Sequence, residues 1–261
     1  MLAKNQRNPK RVRHMNKSSD YSNLKALFIN CSLKKDNADS HTLKLMNRAS
    51  GIMKEQGVSV ETLHALNHDI PFGMEKDMSG ADTKDDWPAI QQKILDADIL
   101  VIGTPIWLGS KSSVASLVIE RMYAYSGDRN DKGQYVYYGR TAGCVITGNE
   151  DGAKACAKDI LYAMTHIGYT IPPQVDTAWL GEAGPGPSYG DTEYNGKPIK
   201  DTTTPAGYTN DFTNRNTTIM AWNLMHAASA LKQAGGLPAI GNVADDWKEV
   251  TNAEDQNPEY R

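Results

Sequence analysis

A chain of 261 residues with 39% hydrophobic content can bury one substantial core, and it fits one large domain better than two small ones. The formal net charge of -3 and pI of about 6.1 leave no global positive field for a phosphate backbone, which argues against nucleic acid as the main partner. Cys31, Cys144 and Cys156 form no CxxC or zinc-type spacing, so we expect a reduced cytoplasmic setting and no metal. The longest apolar stretches, such as Ile99 to Ile102, are too short to cross a bilayer, and no apolar h-region follows the basic start, so neither membrane anchor nor export signal is expected.

Residues 1–23 carry Lys4, Arg7, Lys10, Arg11, Arg13 and Lys17 against Asp20 alone and read as a basic disordered tail, with a polyanion-binding arm as the alternative. From Leu24 short apolar runs alternate with helix-period segments, the pattern of βαβ units around a parallel sheet. Leu24 to Asn30 is the first strand. A helix over His41 to Gln56 presents Leu43, Met46, Ala49 and Met53 and ends at Gly57. Val58 to Leu63 is the second strand, and a helix capped by Asp85 or Asp86 begins near Trp87 and Pro88. Asp98 to Thr104 is the third and most central strand. A helix over Ser112 to Tyr125 leads to a fourth strand, Arg140 to Thr147. The helix over Gly152 to Ile167 stops at Gly168 and leads to a fifth strand, Tyr169 to Val175. Residues 181–210, rich in Gly, Pro, Thr and Asp, are too long for an ordinary connection. The last helix, Thr213 to Gln233, turns Met220, Leu224, Ala227 and Leu231 inward and closes at Gly235 and Gly236. The domain expected is therefore 24–236, followed by an acidic tail, 237–261, with Asp245, Asp246, Glu249, Glu254 and Asp255.

An open parallel sheet binds ligands beyond the carboxyl ends of its strands, where strand order reverses. After strand one, Ser32, Lys34, Ser40, His41 and Thr42 lead into a helix and offer hydroxyls, a cation and free N–H groups, which suit a phosphate monoester. Ser and Thr before a helix are equally ordinary caps. Neither GxGxxG nor GxxxxGK[ST] occurs in this loop, which removes support for a dinucleotide fold or a P-loop hydrolase. After strand three, Thr104-Pro105-Ile106-Trp107-Leu108-Gly109 combines a stiff turn, a glycine for close backbone approach and a large aromatic surface for a planar ring. After strand four, Thr147-Gly148-Asn149-Glu150-Asp151-Gly152 exposes backbone donors at a helix start. Glu150 and Asp151 as a metal or acid/base pair is the alternative there.

These three loops, in this order and spacing, resemble those of the flavodoxin-like NAD(P)H-dependent FMN reductases and their quinone-reductase relatives, whose P-x-[YW]-x-G turn edges the isoalloxazine ring. The resemblance covers roughly Leu24 to Val175. It departs from the family's Gly-Ser-x-Arg opening, which is Cys31-Ser32-Leu33-Lys34 here, so Lys34 replaces a bidentate fork with a point charge.

It implies a flavodoxin-like doubly wound five-stranded parallel sheet of order 2-1-3-4-5 with helices on both faces. It further implies FMN as cofactor, NADPH or NADH as electron donor, and a quinone, free flavin or other small molecule as acceptor. The implied cofactor-binding residues are Ser32, Lys34, Ser40, His41, Thr42, Pro105, Ile106, Trp107, Leu108, Gly109, Thr147, Gly148, Asn149, Glu150 and Gly152, with no dedicated catalytic acid or base. Tyr189, within the 181–191 stretch, or Trp179, just before it, is a candidate to stack on the ring in a nicotinamide and substrate pocket; that stretch could otherwise be a surface loop at a subunit interface. The resemblance also implies a homo-oligomer, dimer or tetramer. A non-enzymatic flavodoxin-type electron carrier is the alternative function. Cys31 reads either as redox-sensitive or, more simply, as a small buried thiol.

Overall fold

The computed structural model describes residues 20–184, 186–199 and 204–246. Most of the basic tail and the acidic residues beyond Asp246 lie outside them. In chain order the principal elements are β1 (Lys25–Asn30), α1 (His41–Glu55), β2 (Ser59–His64), α2 (Trp87–Asp96), β3 (Ile99–Trp107) and β4 (Ser110–Lys111). There follow α3 (Ser113–Tyr123), β5 (Thr141–Gly148), α4 (Ala153–Ile167), β6 (Asp176–Leu180), β7 (Glu193–Tyr194), β8 (Lys197–Pro198) and α5 (Asp211–Gln233).

The sheet runs β2-β1-β3-β5-β6 with every one of these pairs parallel, while β4 folds back antiparallel on the end of β3. Counting the long strands alone gives the flavodoxin-like order expected from sequence. Alternate residues of the strands feed two cores because both faces are covered. Leu27, Ile29, Leu100, Ile102, Cys144 and Ile146 pack under α2, α3 and α4. Ala26, Phe28, Ile99, Val101 and Val145 pack under α1 and α5.

Three elements depart from the sequence reading. The fifth strand is Asp176–Leu180 rather than Tyr169 to Val175. Pro172 and Pro173 have no N–H for a ladder and Gln174 sits at φ +52°, so the earlier stretch makes only a single bridge, at Thr170. The third strand runs on to Trp107, so Pro105 and Ile106 are strand residues paired with β5 and β4, and the turn is Leu108-Gly109. The buried stripe of α5 is Met220, Ala221, Leu224, Met225 and Ala228, with Ala227 and Leu231 only half-buried. The chain is already packed at Tyr21, whose hydroxyl meets His226 Nδ1 at 2.8 Å.

Ser112 joins the two loops that flank the switch point between β1 and β3. Its Oγ accepts the Ala115 N–H (3.1 Å), capping α3, and donates to the Cys31 carbonyl (2.7 Å). Its own N–H donates to Thr104 Oγ1 at 3.0 Å. Its Oγ also lies 3.3 Å from Thr104 Oγ1, so Ser112→Ala removes three side-chain bonds, and we expect a loss of about 1–2 kcal/mol. Thermal unfolding should register it as a fall in Tm of several degrees.

Candidate functional site

The carboxyl ends of β1, β3 and β5 open into a cavity of about 490 Å³. Such a volume lies within the range of small-molecule sites.

The loop after β1 forms one end of it. Asn30 organises this loop: its amide donates to His64 Nδ1 (2.8 Å) and Ser40 Oγ (3.1 Å), and its carbonyl accepts the Ser32 N–H (3.1 Å). Burial is the main cause lowering the proton affinity of His64, which keeps that ring neutral. Ser40 is the N-cap of α1, accepting the Leu43 N–H at 3.1 Å, and it is fully buried. The first-turn N–H groups of His41 and Thr42 have no intrahelical acceptor and stand at the open end of the helix. Ser32, Lys34, His41 and Thr42 all line the cavity there, and the Thr42 hydroxyl meets that of Thr147 at 2.8 Å.

The other end is apolar. Pro105, Ile106 and Trp107 form one wall, Thr147 to Glu150 another, and Trp107 is 54% exposed at the rim. The Glu150 carboxylate accepts the Leu108 N–H (2.9 Å), so this acid fastens the β3–β4 turn to the loop after β5. Among the described residues no group of three or more His, Cys, Asp or Glu could hold a metal ion.

The third wall comes from the long connection after β6. Asn149 Nδ2 donates to the carbonyls of Gly186 (3.1 Å) and Pro187 (3.0 Å), and His41 Nδ1 lies 3.0 Å from the Tyr189 carbonyl. Lys44 donates to the Gly190 carbonyl at 3.3 Å. This strap is tied at both ends to elements of the site, and Gly184, Gly186, Ser188 and Tyr189 line the cavity.

Twelve of the residues expected from sequence therefore converge: Ser32, Lys34, His41, Thr42, Pro105, Ile106, Trp107, Thr147, Gly148, Asn149, Glu150 and Tyr189. Five do not line the cavity. Ser40 is spent as a cap. Leu108 (φ +51°) and Gly109 (φ +75°) form the hairpin turn, so Gly109 serves a left-handed conformation rather than close approach to a ligand. Gly152 packs on Gly109 from behind, where an added Cβ would fall 2.5 Å from the Gly109 carbonyl oxygen. Trp179 lies behind the strap against Tyr189, at 5.7 Å between ring centroids.

Tyr189 does not offer a stacking face as expected, because its ring is fully buried between Trp179 and Tyr208. The cavity also takes in Leu33, Gly184, Gly186 and Ser188, which the sequence does not single out; the dense Gly and Pro of residues 181–191 is the signal that points toward the last three. Cys31 is fully buried and burial drives its thiol upward, which favours the reading as an inert space-filling group.

FMN fits this donor set. A helix N-terminus, an ammonium and two hydroxyls meet at one end, as a phosphate requires, and the apolar wall of Pro105, Ile106 and Trp107 lies at the other, facing the loop of Thr147 to Glu150. The fold and site thus define a flavodoxin-like α/β protein with a cavity of small-molecule size at its topological switch point.

Comparison with known proteins gives the family. Residues 24–180 match the family model described as NADPH-dependent FMN reductase, and the chain belongs to that family of flavin-dependent oxidoreductases, whose cofactor is FMN and whose donor is a reduced nicotinamide nucleotide. It is 35% identical over 172 residues to the 8-demethyl-8-aminoriboflavin-5'-phosphate synthase of Streptomyces davaonensis, covering 64% of this chain and 67% of that one. The crystal structure of RosB with the bound intermediate 8-demethyl-8-formylriboflavin-5'-phosphate superposes with a TM-score of 0.72 at 29% identity, covering 91% of this chain and 95% of that one.

A Mycobacterium bovis protein named divalent metal cation transporter MntH is 54% identical over 236 residues. The match takes in 86% of this chain but only 33% of that protein's length. Among the described residues no helix is long and apolar enough to cross a membrane.

Proposed function

We propose that the chain is an FMN-dependent oxidoreductase that takes hydride from NAD(P)H and passes electrons to a quinone, a free flavin or a similar small acceptor. The observation that carries this reading is the two-ended cavity, phosphate donors at the start of α1 and an apolar slot beside Trp107, within a chain of the FMN reductase family.

Bound flavin supplies the hydride-accepting chemistry; the chain supplies position and shielding. Lys34, His41 and the first turn of α1 bind the phosphate as a cation and a set of N–H donors. Ser32 and Thr42 add hydroxyls, with Thr42 held by Thr147. Pro105 and Ile106, locked into the β3 ladder, fix one edge of the ring site, and Gly148 to Glu150 bring backbone close to the other. Trp107 covers the mouth and limits water, while the strap keeps the phosphate end closed. None of these groups has to act as a general acid or base.

Lys34→Ala removes a cation whose contact with phosphate is charge-assisted, and we expect FMN to bind about 10-fold to 100-fold more weakly, in line with about 1.5–3 kcal/mol for such a bond. Quenching of flavin fluorescence on titration reads this, and an unchanged affinity would remove Lys34 from the phosphate site.

The relatives named for an aminoriboflavin-phosphate synthase and for a formylriboflavin-phosphate intermediate support a second reading, in which the flavin phosphate is itself the compound transformed. Mass spectrometry of the flavin after turnover separates the two: unchanged FMN after many cycles of NAD(P)H oxidation supports the reductase, and a flavin of altered mass supports the second reading.

A further inference from the structure

His41 opens α1 with its ring half-buried at the cavity wall. Its two nitrogens face opposite chemistry. Nδ1 lies 3.0 Å from the Tyr189 carbonyl and 3.4 Å from Asp191 Oδ1, both on the strap. A carbonyl oxygen only accepts, so Nδ1 carries the hydrogen and Nε2 keeps a lone pair. Nε2 faces the Lys34 ammonium at 3.3 Å, and both residues line the cavity. Asp191 is itself fixed, accepting the Ser188 N–H at 2.8 Å.

The charged groups around the ring come from three elements: Asp191 from the strap, Lys34 from the loop after β1, and Lys44 from the next turn of α1. Burial is the largest influence and lowers the ring's affinity for a proton. Asp191 opposes it, Lys34 adds to it, the Tyr189 carbonyl opposes it and Lys44 adds to it. The free site thus disfavours the charged imidazole, with the Lys34 ammonium on its Nε2 side and the Asp191 carboxylate on its Nδ1 side.

A phosphate monoester brings close to two negative charges above its second ionisation near pH 6. Two charges beside Lys34 and Nε2 reverse the local potential. Riboflavin brings none, and each phosphorus of the FAD diphosphate brings one.

We propose that His41, held by Asp191 and the Tyr189 carbonyl, selects a flavin phosphate monoester by taking up a proton as the phosphate enters. The proton comes from solvent and adds to the Nε2 lone pair, and the new N–H donates to a terminal phosphate oxygen; no other bond changes. The inference rests on the flavin-phosphate reading of the cavity. The sign follows from linkage. The ring's pKa lies below its ordinary 6.5 in the free site and is raised by the bound dianion. Across the window between those two values binding takes up a proton, and affinity falls as pH rises. Above about pH 7 the phosphate is already a dianion, so the slope in that part of the window belongs to the protein.

Isothermal calorimetry of FMN binding, in two buffers of different ionisation heat near about pH 7, counts the protons taken up. Titrations with FMN and riboflavin from about pH 6.5 to about pH 8.5 follow the affinity. We expect uptake of a large fraction of one proton per FMN and an FMN affinity that weakens about fivefold to tenfold over that range, with riboflavin flat. His41→Gln should bind FMN without uptake or slope. Asp191→Asn, which leaves the imidazole in place, should reduce the uptake at the same pH by removing the carboxylate that favours the charged ring. FMN binding without proton uptake, or uptake that survives in His41→Gln, would overturn the proposal while leaving the flavin site intact. Absence of FMN binding at every pH would overturn both.

Discussion

Arg121→Ala should cost about 3–5 kcal/mol of unfolding free energy, the largest effect expected of any single change outside the apolar core. The side chains of Arg121 and Asp85 are both completely buried and meet at 2.6 Å. The guanidinium also donates to the Pro71 carbonyl (2.9 Å) and lies 5.7 Å over the Trp87 ring. Asp85 accepts the N–H groups of Met78 (2.8 Å) and Trp87 (2.9 Å). The pair therefore pins the long connection before α2 onto α3, and truncating the cation strands a carboxylate that water cannot reach. Denaturant unfolding measures the loss. An Asp85→Leu/Arg121→Met double variant should recover only part of it, because Met78 and Trp87 still lose their acceptor. A loss under about 1 kcal/mol in Arg121→Ala would mean that the connection relaxes and solvates the carboxylate.

The second large effect concerns Gly152. It adopts φ +123°, where side chains are rarely tolerated, and an added Cβ would sit 2.5–2.7 Å from the carbonyl oxygen, carbonyl carbon and Cα of Gly109. These are backbone atoms of a two-residue turn, so no rotamer change relieves the overlap. Gly152→Ala must displace either the hairpin or the start of α4, costing about 2 kcal/mol or more in strain. The hairpin carries Trp107, and its turn is bonded to Glu150. FMN affinity should accordingly fall at least about tenfold, which is about 1.4 kcal/mol of binding. Thermal unfolding and flavin titration of the same sample separate the two losses. Unaltered affinity in a destabilised variant would detach the hairpin from the flavin site.

Much of the site is legible in the sequence because parallel-sheet topology forces it. Once apolar runs alternate with helical segments, the loops after the first, third and fourth long strands must meet at the switch point, and their residues need only be read off. Ser32, Thr42, Ile106 and Asn149 are found in that way. Local propensity does not reveal side-chain allegiance: Ser40 and Gly152 have the right chemistry, but Ser40 is consumed as a cap and Gly152 at the start of α4, where it packs on the backbone of Gly109. Tyr189 has the right ring, but its neighbours Trp179 and Tyr208 bury it. The tie between His41 and Tyr189 spans 148 positions, and no period or motif reports such a contact. The fifth strand is misplaced by sequence because the β-prone Tyr169 to Val175 outweighs two prolines, each lacking the N–H that a ladder needs.

The most direct test of the central claim is the visible spectrum of the protein after loading with FMN, desalting and anaerobic addition of NADPH or NADH. Retained flavin bands that bleach rapidly with one of the two nucleotides are the expected result. Retained flavin that neither nucleotide bleaches would contradict the reductase reading in favour of an electron carrier, and no retained flavin would contradict the site itself.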